Sequence, residues 1–305
     1  LLDLRISIAE FADPPSDSSV YWIDGSNVRS GTSLNMAPIG VAQILSHDLF
    51  REKASVVLTS ATLSTGGDFD HLCTRLGFVP DEGYRLESPF DYRASTQTLL
   101  VEDISNPGSP KNQQEIIDCI ANTAIAAEGR TLALFTSNAA IKATYSVLRA
   151  KLRSNNILVL AQGISGTPDR LVRRMREEDR PVVLLGTSSL WEGIDIQGDR
   201  LQALILTKLP FEVPTDPVFA ARSETYGDSY KAFTEYSIPK AVIRFRQGFG
   251  RLIRSSTDRG VFVVLDSRIV NRNYGKRFIE GLPDTSMKTC SMKEIGENTK
   301  TWLLN

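Results

Sequence analysis

Residues 181–186 read Pro-Val-Val-Leu-Leu-Gly, an apolar run that stops at a glycine. A strand with one face in water alternates apolar and polar residues, whereas an unbroken apolar run is typical of a parallel strand covered on both faces. The runs TLALF, QALILT and GVFVVLD share this pattern. Together with other β-branched or Leu-rich runs they predict strands at 20–23, 55–60, 98–101, 131–135, 157–160, 182–185, 203–206 and 261–265.

Helical patterns lie between these strands. In residues 138–152 apolar side chains recur at spacings of four, three and four, which places them on one face of a helix. We predict Asn138 as the N-cap of this helix. Residues 111–127 repeat the pattern. Strands that alternate with helices predict an α/β fold, a doubly wound parallel sheet with ligands at the carboxyl ends of its strands.

The composition limits the classes of function. The chain has 305 residues, and 35 Lys and Arg stand against 36 Asp and Glu, for a formal net charge of −1 at pH 7. This balance argues against a protein that coats nucleic acid or lipid through bulk positive charge, so any phosphate binding must be local. No apolar run approaches the roughly 18–20 residues that cross a bilayer, and the N-terminus has no signal-peptide pattern. We therefore expect a soluble, cytoplasmic protein without a membrane partner.

Cysteine and histidine offer little for a metal site. Cys73, Cys119 and Cys290 are far apart with no CxxC spacing, and the only histidines are His47 and His71. The sequence therefore predicts no metal site in this chain and thiols that are buried or incidental. The chemistry has to be sought among Arg, Asp, Glu, Ser and Thr.

The two ends of the chain and its turn-rich segments predict its organisation. The chain begins at Leu1 and runs directly into LLDLRISIAEF, from which we expect an excised piece of a longer protein. Residues 12–33 are turn-rich and predict a peripheral hairpin or connection, and residues 102–112 predict a loop before a long helix. We place a domain boundary between residues 77 and 110.

The common nucleotide-binding loop is missing from the chain. GxxxxGK[ST], which surrounds the β and γ phosphates in many NTPases, does not occur. The acidic triplet 177–179 lies among arginines on a predicted helix, where a solvated charged face explains it better than a magnesium site. We therefore expect that this chain does not hydrolyse a nucleotide by itself.

Glycines and arginines lie close together in QGFGRLIR at 247–254. A dinucleotide fingerprint is excluded, because its third glycine position is Ile253 and no strand precedes it. Arg251 and Arg254 are three residues apart, so we predict that they share a helix face, with Gln247 one turn upstream. Two guanidinium groups and an amide in one stripe can grip a triphosphate. A surface helix with ordinary arginines is the alternative.

Hydroxyl side chains follow three of the predicted strands. GTSSLWEGID at 186–195 comes directly after strand 182–185 and combines hydroxyls with a glycine that permits close backbone approach to a phosphate. TSATL at 59–63 and LFTSN at 134–138 repeat the arrangement. A turn or a helix cap explains each segment taken singly. Together they predict hydroxyl groups gathered at strand ends.

Four of these segments, in this order, resemble motifs III, IV, V and VI of superfamily 2 helicases, in the form used by the DinG and XPD group. They are TSATLS at 59–64, LFTS at 134–137, SLWEGIDIQG at 189–198 and QGFGRLIR at 247–254. SPF at 88–90 and TKLPFEVPTDPV at 207–218 are similar to segments of bacterial DinG-like proteins. The resemblance runs from about residue 20 to residue 283.

The resemblance implies two RecA-like domains, each a parallel sheet of the P-loop NTPase type with helices on both faces, and ATP with magnesium between them. Residues 1–85 would be the end of the first domain, with motif III and the tail of an arch-like insertion. Residues 86–305 would be the second RecA-like domain. The phosphate loop, the DEAH box and any iron–sulfur cluster would lie in the missing part of the first domain. The implied activity is ATP-driven translocation, 5′ to 3′, on single-stranded DNA.

The resemblance also implies roles for single residues. Arg254 would be the arginine finger of the ATP site, with Arg251 and Gln247 beside it. The other implied nucleotide contacts are Glu192, Gly193, Asp195 and Gly250. The implied contacts to single-stranded DNA are Thr136, Ser137, Ser188, Ser189 and Trp191. The implied coupling residues between the domains are Ser60, Ala61 and Thr62.

A second hypothesis is a non-catalytic RecA-like module that only holds single-stranded nucleic acid or a partner. Arg251 and Arg254 argue against it, because a passive binder has no use for a γ-phosphate sensor. We therefore expect the carboxyl-terminal motor part of a bacterial DNA helicase that works in DNA repair and associates with the nucleoid when it is on DNA.

Overall fold

The computed structural model describes residues 8–9, 11, 18–25, 31–60, 69–187, 190 and 200–304. In chain order its strands and α-helices are β1 (Ser19–Asp24), β2 (Ser33–Pro38), α1 (Ala42–Leu45), α2 (Asp70–Leu76), α3 (Tyr92–Ser95), β3 (Thr96–Val101), α4 (Asn112–Ala126), β4 (Thr131–Leu134), α5 (Asn138–Leu152), β5 (Leu158–Ala161), α6 (Pro168–Glu177), β6 (Val182–Gly186), β7 (Ala203–Leu206), α7 (Pro217–Glu224), α8 (Ser229–Ala232), α9 (Ile238–Phe249), β8 (Gly260–Val264), α10 (Arg268–Asn271), α11 (Gly275–Glu280), β9 (Ser286–Cys290) and α12 (Ile295–Leu304).

Internal contacts divide the chain into two units. The smaller is Leu1–Arg85 with Phe211–Lys240, and the larger is Leu86–Pro210 with Ala241–Asn305. The sequence predicts one domain over residues 86–305, whereas Phe211–Lys240 groups with the N-terminal residues. The assignment of the two parts to two RecA-like domains stays a prediction.

The larger unit is built on one sheet of seven strands, in the spatial order β5-β6-β4-β7-β8-β3-β9. Every neighbouring pair is parallel. The central strands β4, β6, β7 and β8 are buried at every residue, as unbroken apolar runs predict. The carboxyl ends of these strands therefore meet at one edge of the sheet.

Helices cover both faces of this sheet, and the alternation along each strand determines which face a side chain reaches. On β8, Val261 and Val263 join the core cluster that α4, α5 and α12 cover. Phe262 points to the other face, where its ring packs 5.4 Å from Phe245 and 5.4 Å from Phe249 of α9. The predicted doubly wound arrangement is confirmed.

The smaller unit contains an antiparallel hairpin of β1 and β2, with Ser19 opposite Pro38. The sequence predicts a hairpin or a connection at residues 12–33, and of these two alternatives the structure shows a hairpin, with its second strand extending to Pro38. Residues 211–240 belong to this unit because α7 packs on β1, and Arg222 Nε donates to Ile39 O at 2.7 Å. The Phe219 and Tyr236 rings stack at 5.2 Å in the same unit.

The strand predicted at residues 55–60 is wrong. These residues are irregular and exposed, and 86% of Val57 is accessible to solvent. A strand needs a neighbour to complete its hydrogen bonds, and none of the described strands pairs with this segment. Two strands that the sequence did not predict are β2 and β9.

None of the helices in the described part of the chain combines the length and the apolar character that crossing a membrane requires.

Candidate functional site

The exit of β4 leads directly into α5. Ser137 has extended backbone angles (φ −151°, ψ 147°), and its Oγ accepts a hydrogen bond from Ala140 N at 3.2 Å, so it is the N-cap of this 15-residue helix. The predicted N-cap, Asn138, is wrong by one position because Asn138 already lies within the helix. Thr136 and Ser137 are both exposed. They stand where the free N–H groups and the dipole of a helix favour an anion.

The exit of β6 lies beside that of β4, since Leu134 is opposite Gly186 and Phe135 N donates to Gly186 O at 2.8 Å. Thr187, the next residue after the strand, donates from its backbone N to Gln162 Oε1 at 2.9 Å and from its Oγ1 to the same atom at 3.2 Å. The first residue after β6 is therefore held in place.

Leu190, three residues after Thr187, is also held in place. It is fully buried, and its N–H donates to Thr187 O at 2.8 Å. A Cβ at Gly186 would lie 2.7 Å from Leu190 Cγ, so only glycine leaves room for this side chain. The predicted site residues Ser188, Ser189, Trp191, Glu192, Gly193 and Asp195 lie outside the described residues.

The hydroxyl that follows β7 is turned inward. Thr207 is buried, and its Oγ1 donates to Leu134 O at 2.9 Å. Its hydroxyl therefore joins two neighbouring strand exits and does not face solvent. The sequence carries the same signal here as at Thr136, a hydroxyl after an apolar strand, and does not distinguish the two.

A buried ion pair at the exit of β8 was missed by the sequence analysis. Asp266 is fully buried and accepts from Leu209 N at 2.9 Å. Arg268 donates to the same carboxylate from Nε at 2.8 Å and from Nη2 at 2.6 Å. These hydrogen bonds raise the pKa of Arg268 above its usual value. The available signal was GVFVVLD, a buried strand that ends in an aspartate two residues before an arginine.

The predicted arginine stripe is not a helix face. Helix α9 ends at Phe249, and the chain then tightens, with Arg251 N donating to Gly248 O at 3.1 Å. Asp258 Oδ2 next accepts from Arg254 N at 2.7 Å, which draws the chain into a turn. Arg251 and Arg254 both lie beyond the end of the helix, and Arg254 lies in this turn, so the two arginines do not form a helical row with Gln247. A Cβ at Gly250 would make only ordinary contacts, 3.5 Å or more, so sterics do not require glycine there.

The arginines lie near the amino ends of the parallel strands, whereas the exposed hydroxyls lie near the carboxyl ends. Leu252, between the two arginines, packs against Gly260 at the start of β8, where a Cβ would be 2.6 Å from Leu252 Cδ1. Arg251 and Arg254 are therefore near the amino ends of the strands, both half-buried. The structure thus does not bring them together with Thr136, which lies near the carboxyl ends.

The remaining predicted site residues belong to the smaller unit. Ser60 is exposed in the irregular segment described above. Ala61 and Thr62 lie outside the described residues.

Comparison with known proteins identifies the relatives of this chain. Residues 120–285 match a family model described as the helicase C-terminal domain. The chain is similar to the 3'-5' exonuclease DinG of Bacillus subtilis, with 35% identity over 289 residues that cover 92% of this chain and 31% of the relative. It is also similar to the ATP-dependent DNA helicase YoaA of Haemophilus influenzae, with 33% identity over 93% of this chain and 43% of the relative. The chain therefore spans less than half the length of these relatives.

Solved structures share the fold. One described as an XPD helicase aligns with 84% of this chain and 46% of its own at a TM-score of 0.62 and 15% identity. Another, described as XPD apo, aligns with 94% of this chain and 57% of its own at a TM-score of 0.65 and 15% identity. This similarity confirms the predicted RecA-like α/β fold.

Proposed function

Because this chain belongs to the helicase C-terminal domain family, we propose that it is the carboxyl-terminal motor part of an ATP-dependent DNA helicase of the DinG and XPD type. The relatives are more than twice as long as the aligned region. In this proposal the complete protein supplies a first RecA-like domain with the phosphate loop and the magnesium-binding carboxylate, and it acts in the cytoplasm on DNA.

The observation that carries the proposal is the exposed pair Thr136 and Ser137 at the N-terminus of α5, beside the exit of β6. Hydroxyls and helix N–H groups bind phosphate oxygens without bulk positive charge. This agrees with the net charge of −1. We therefore assign single-stranded DNA to the carboxyl edge, where Ser188, Ser189 and Trp191 would contribute further contacts.

The nucleotide site is assigned to the amino edge. Arg251 and Arg254 are half-buried and three residues apart, and guanidinium groups provide the donors that a polyphosphate requires. These two arginines fit one side of an ATP–magnesium site. In this proposal the lysine and the magnesium-binding carboxylate of the other side come from the first RecA-like domain. Arg254 would stabilise the charge that develops on the departing γ-phosphoryl group. Glu192, Gly193 and Asp195 would connect this site to the DNA contacts.

The first test separates the two sites in the complete protein. Arg254→Ala should lower DNA-stimulated ATP hydrolysis by roughly 10³ and leave single-strand affinity without nucleotide nearly unchanged. Arg149→Ala, which removes an exposed arginine on α5, serves as the matched control and should alter neither. If Arg254→Ala kept its ATPase and lost DNA binding, the two assignments would be reversed.

The second test concerns the DNA contacts. Thr136→Val removes a hydroxyl and keeps the side-chain size, and it should weaken oligonucleotide binding by about fivefold, as the loss of one hydrogen bond predicts. Thr301→Val, at an exposed threonine of α12, should have no effect.

The chain by itself should show no ATPase activity. Complete protein that binds single strands but never hydrolyses ATP would favour the non-catalytic binding module instead.

A further inference from the structure

The side chain of Gln162 continues the sheet after its own strand has ended. Ala161 is the last residue of β5 and lies opposite Leu185, and Gln162 N still donates to Leu185 O at 3.0 Å. In an unbroken parallel ladder, the N–H of Thr187 would next donate to the backbone carbonyl of Gln162. It donates to Gln162 Oε1 instead, at 2.9 Å. The side-chain amide takes the place of the backbone carbonyl.

The backbone around Gln162 shows why this substitution is needed. The chain turns away from β6 at Gly163, which has a φ of +73°, and Gly163 N donates to Gly166 O at 3.3 Å. Ser165 closes the turn on Ala161, because its N donates to Ala161 O at 2.8 Å and its Oγ accepts from Ala161 N at 3.1 Å. With the main chain diverted, the side chain of Gln162 accepts from Thr187 N in place of its backbone carbonyl.

Ser188 and Ser189, two of the five residues predicted to contact DNA, lie outside the described residues, whereas the positions on either side of them are described and held in place. On one side, Gln162 Oε1 accepts both the N–H and the Oγ–H of Thr187. On the other side, Leu190 is buried against Gly186. Leu190 N–H also donates to Thr187 O at 2.8 Å, so Thr187 is bonded from both sides, and Gln162 supplies the side-chain part of this restraint.

The geometry points to Gln162 as a positioning residue, which holds Thr187 at the exit of β6. This exit lies beside the exit of β4 and the exposed Thr136 and Ser137, the surface assigned to single-stranded DNA. This inference rests on the proposed function. Gln162 acts through Thr187, and its effect is therefore on affinity for single strands and not on the chemistry of hydrolysis.

The first experiment tests the hydrogen bond itself by amide hydrogen exchange in the complete protein. Gln162→Met keeps the length of the side chain and removes the acceptor, so the Thr187 amide should exchange about tenfold faster, while Leu185 within β6 is unchanged. Gln162→Glu keeps an acceptor oxygen and should restore protection. Unchanged exchange at Thr187 in Gln162→Met would overturn the inference.

The second experiment tests what the bond is for. In Gln162→Met the dissociation constant for a fluorescent single-stranded oligonucleotide and the KM for DNA should both rise about tenfold, and kcat at saturating DNA should change less than about twofold. Gln113→Met is the matched control, because Gln113 Nε2 donates to Thr144 Oγ1 at 2.8 Å in a Gln–Thr bond on two helices of the same unit. It should leave DNA affinity unchanged.

The outcomes separate this inference from the proposed function. If the unaltered protein binds no single strands, the proposed function fails and the positioning role fails with it. If the unaltered protein binds DNA and Gln162→Met binds equally well, only the positioning role is overturned. An equal loss of kcat and thermal stability in Gln162→Met, with unchanged affinity, would show a purely structural bond and also overturn it.

Discussion

Removal of the Asp266 carboxylate should be among the most destabilising single changes in the larger unit. Asp266 is fully buried, and its two oxygens accept hydrogen bonds from Leu209 N, Arg268 N and the Arg268 guanidinium. Asp266→Ala removes the acceptor of the Leu209 N–H and the carboxylate that pairs with the Arg268 guanidinium. Breaking a buried pair in this way costs about 3–5 kcal/mol. Because the Arg268 side chain is 23% exposed, water offsets part of this cost, and we expect about 3 kcal/mol.

The measurement is urea unfolding of the chain followed by far-UV circular dichroism. Asp284→Ala is the control, since Asp284 meets Arg93 at 3.4 Å with both side chains more than three-quarters exposed, and its loss should change the free energy of unfolding by less than about 0.5 kcal/mol. Asp266→Asn keeps an oxygen for Leu209 N and should fall between the two. If Asp266→Ala and Asp284→Ala unfolded at the same urea concentration, the buried pair would not stabilise the unit.

Three further predictions follow from the same contacts. Gly186→Ala should destabilise the larger unit by about 2 kcal/mol, because its Cβ would overpack Leu190, whereas Gly40→Ala, with nothing within 4 Å of a Cβ, should be near neutral in the same urea assay. Burial raises the pKa of Cys119 to about 12 and that of Cys290 to about 11, so the folded state holds these protons more tightly than the unfolded state. The free energy of unfolding should therefore fall as pH rises above 9, and it should fall less in Cys119→Ala, as denaturation at stepped pH can measure. Binding of single-stranded DNA by the complete protein should depend weakly on salt, because binding through hydroxyls and amides neutralises only two or three phosphates. In an oligonucleotide titration the slope of log K against log salt should be shallower than about −2.5, and a steeper slope would reveal an extended basic channel.

The sequence predicts the centre of the sheet better than its edges. Strands β4, β6, β7 and β8 are buried on both faces, so their sequences are unbroken apolar runs that can be recognised without knowledge of the fold. The edge strand β9 reads SMKTC and exposes its three middle residues, so no such run marks it. The segment 55–60 shows the reverse error, because its apolar residues favour a strand and strand formation also needs a neighbour.

Features of the candidate site that depend on neighbouring residues are predicted better than those that depend on distant ones. The junction of β4 with α5 is predicted from LFTSN, although the cap is Ser137 and not the predicted Asn138. The arginine stripe was wrong because helical spacing was extended past the end of α9, although Gly248 and Gly250 are the kind of residue at which helices end. The bond from Thr187 to Gln162 joins residues 25 apart, and no local pattern predicts such a pair.

Polar side chains at the strand exits divide into two kinds that have the same appearance in the sequence. Gln162, Thr207 and Asp266 each bond a backbone group of the neighbouring strand exit, so they join adjacent strand exits to each other. Their hydrogen-bonding capacity is largely used within the protein. Thr136 and Ser137 are exposed at the N-terminus of α5, where Ser137 Oγ accepts from Ala140 N as the helix cap. A ligand that binds at the carboxyl ends of the strands therefore contacts the exposed hydroxyls and not the side chains that join the strand exits. We expect substitutions at Thr136 to change the affinity for the ligand and substitutions at Asp266 to change the free energy of unfolding.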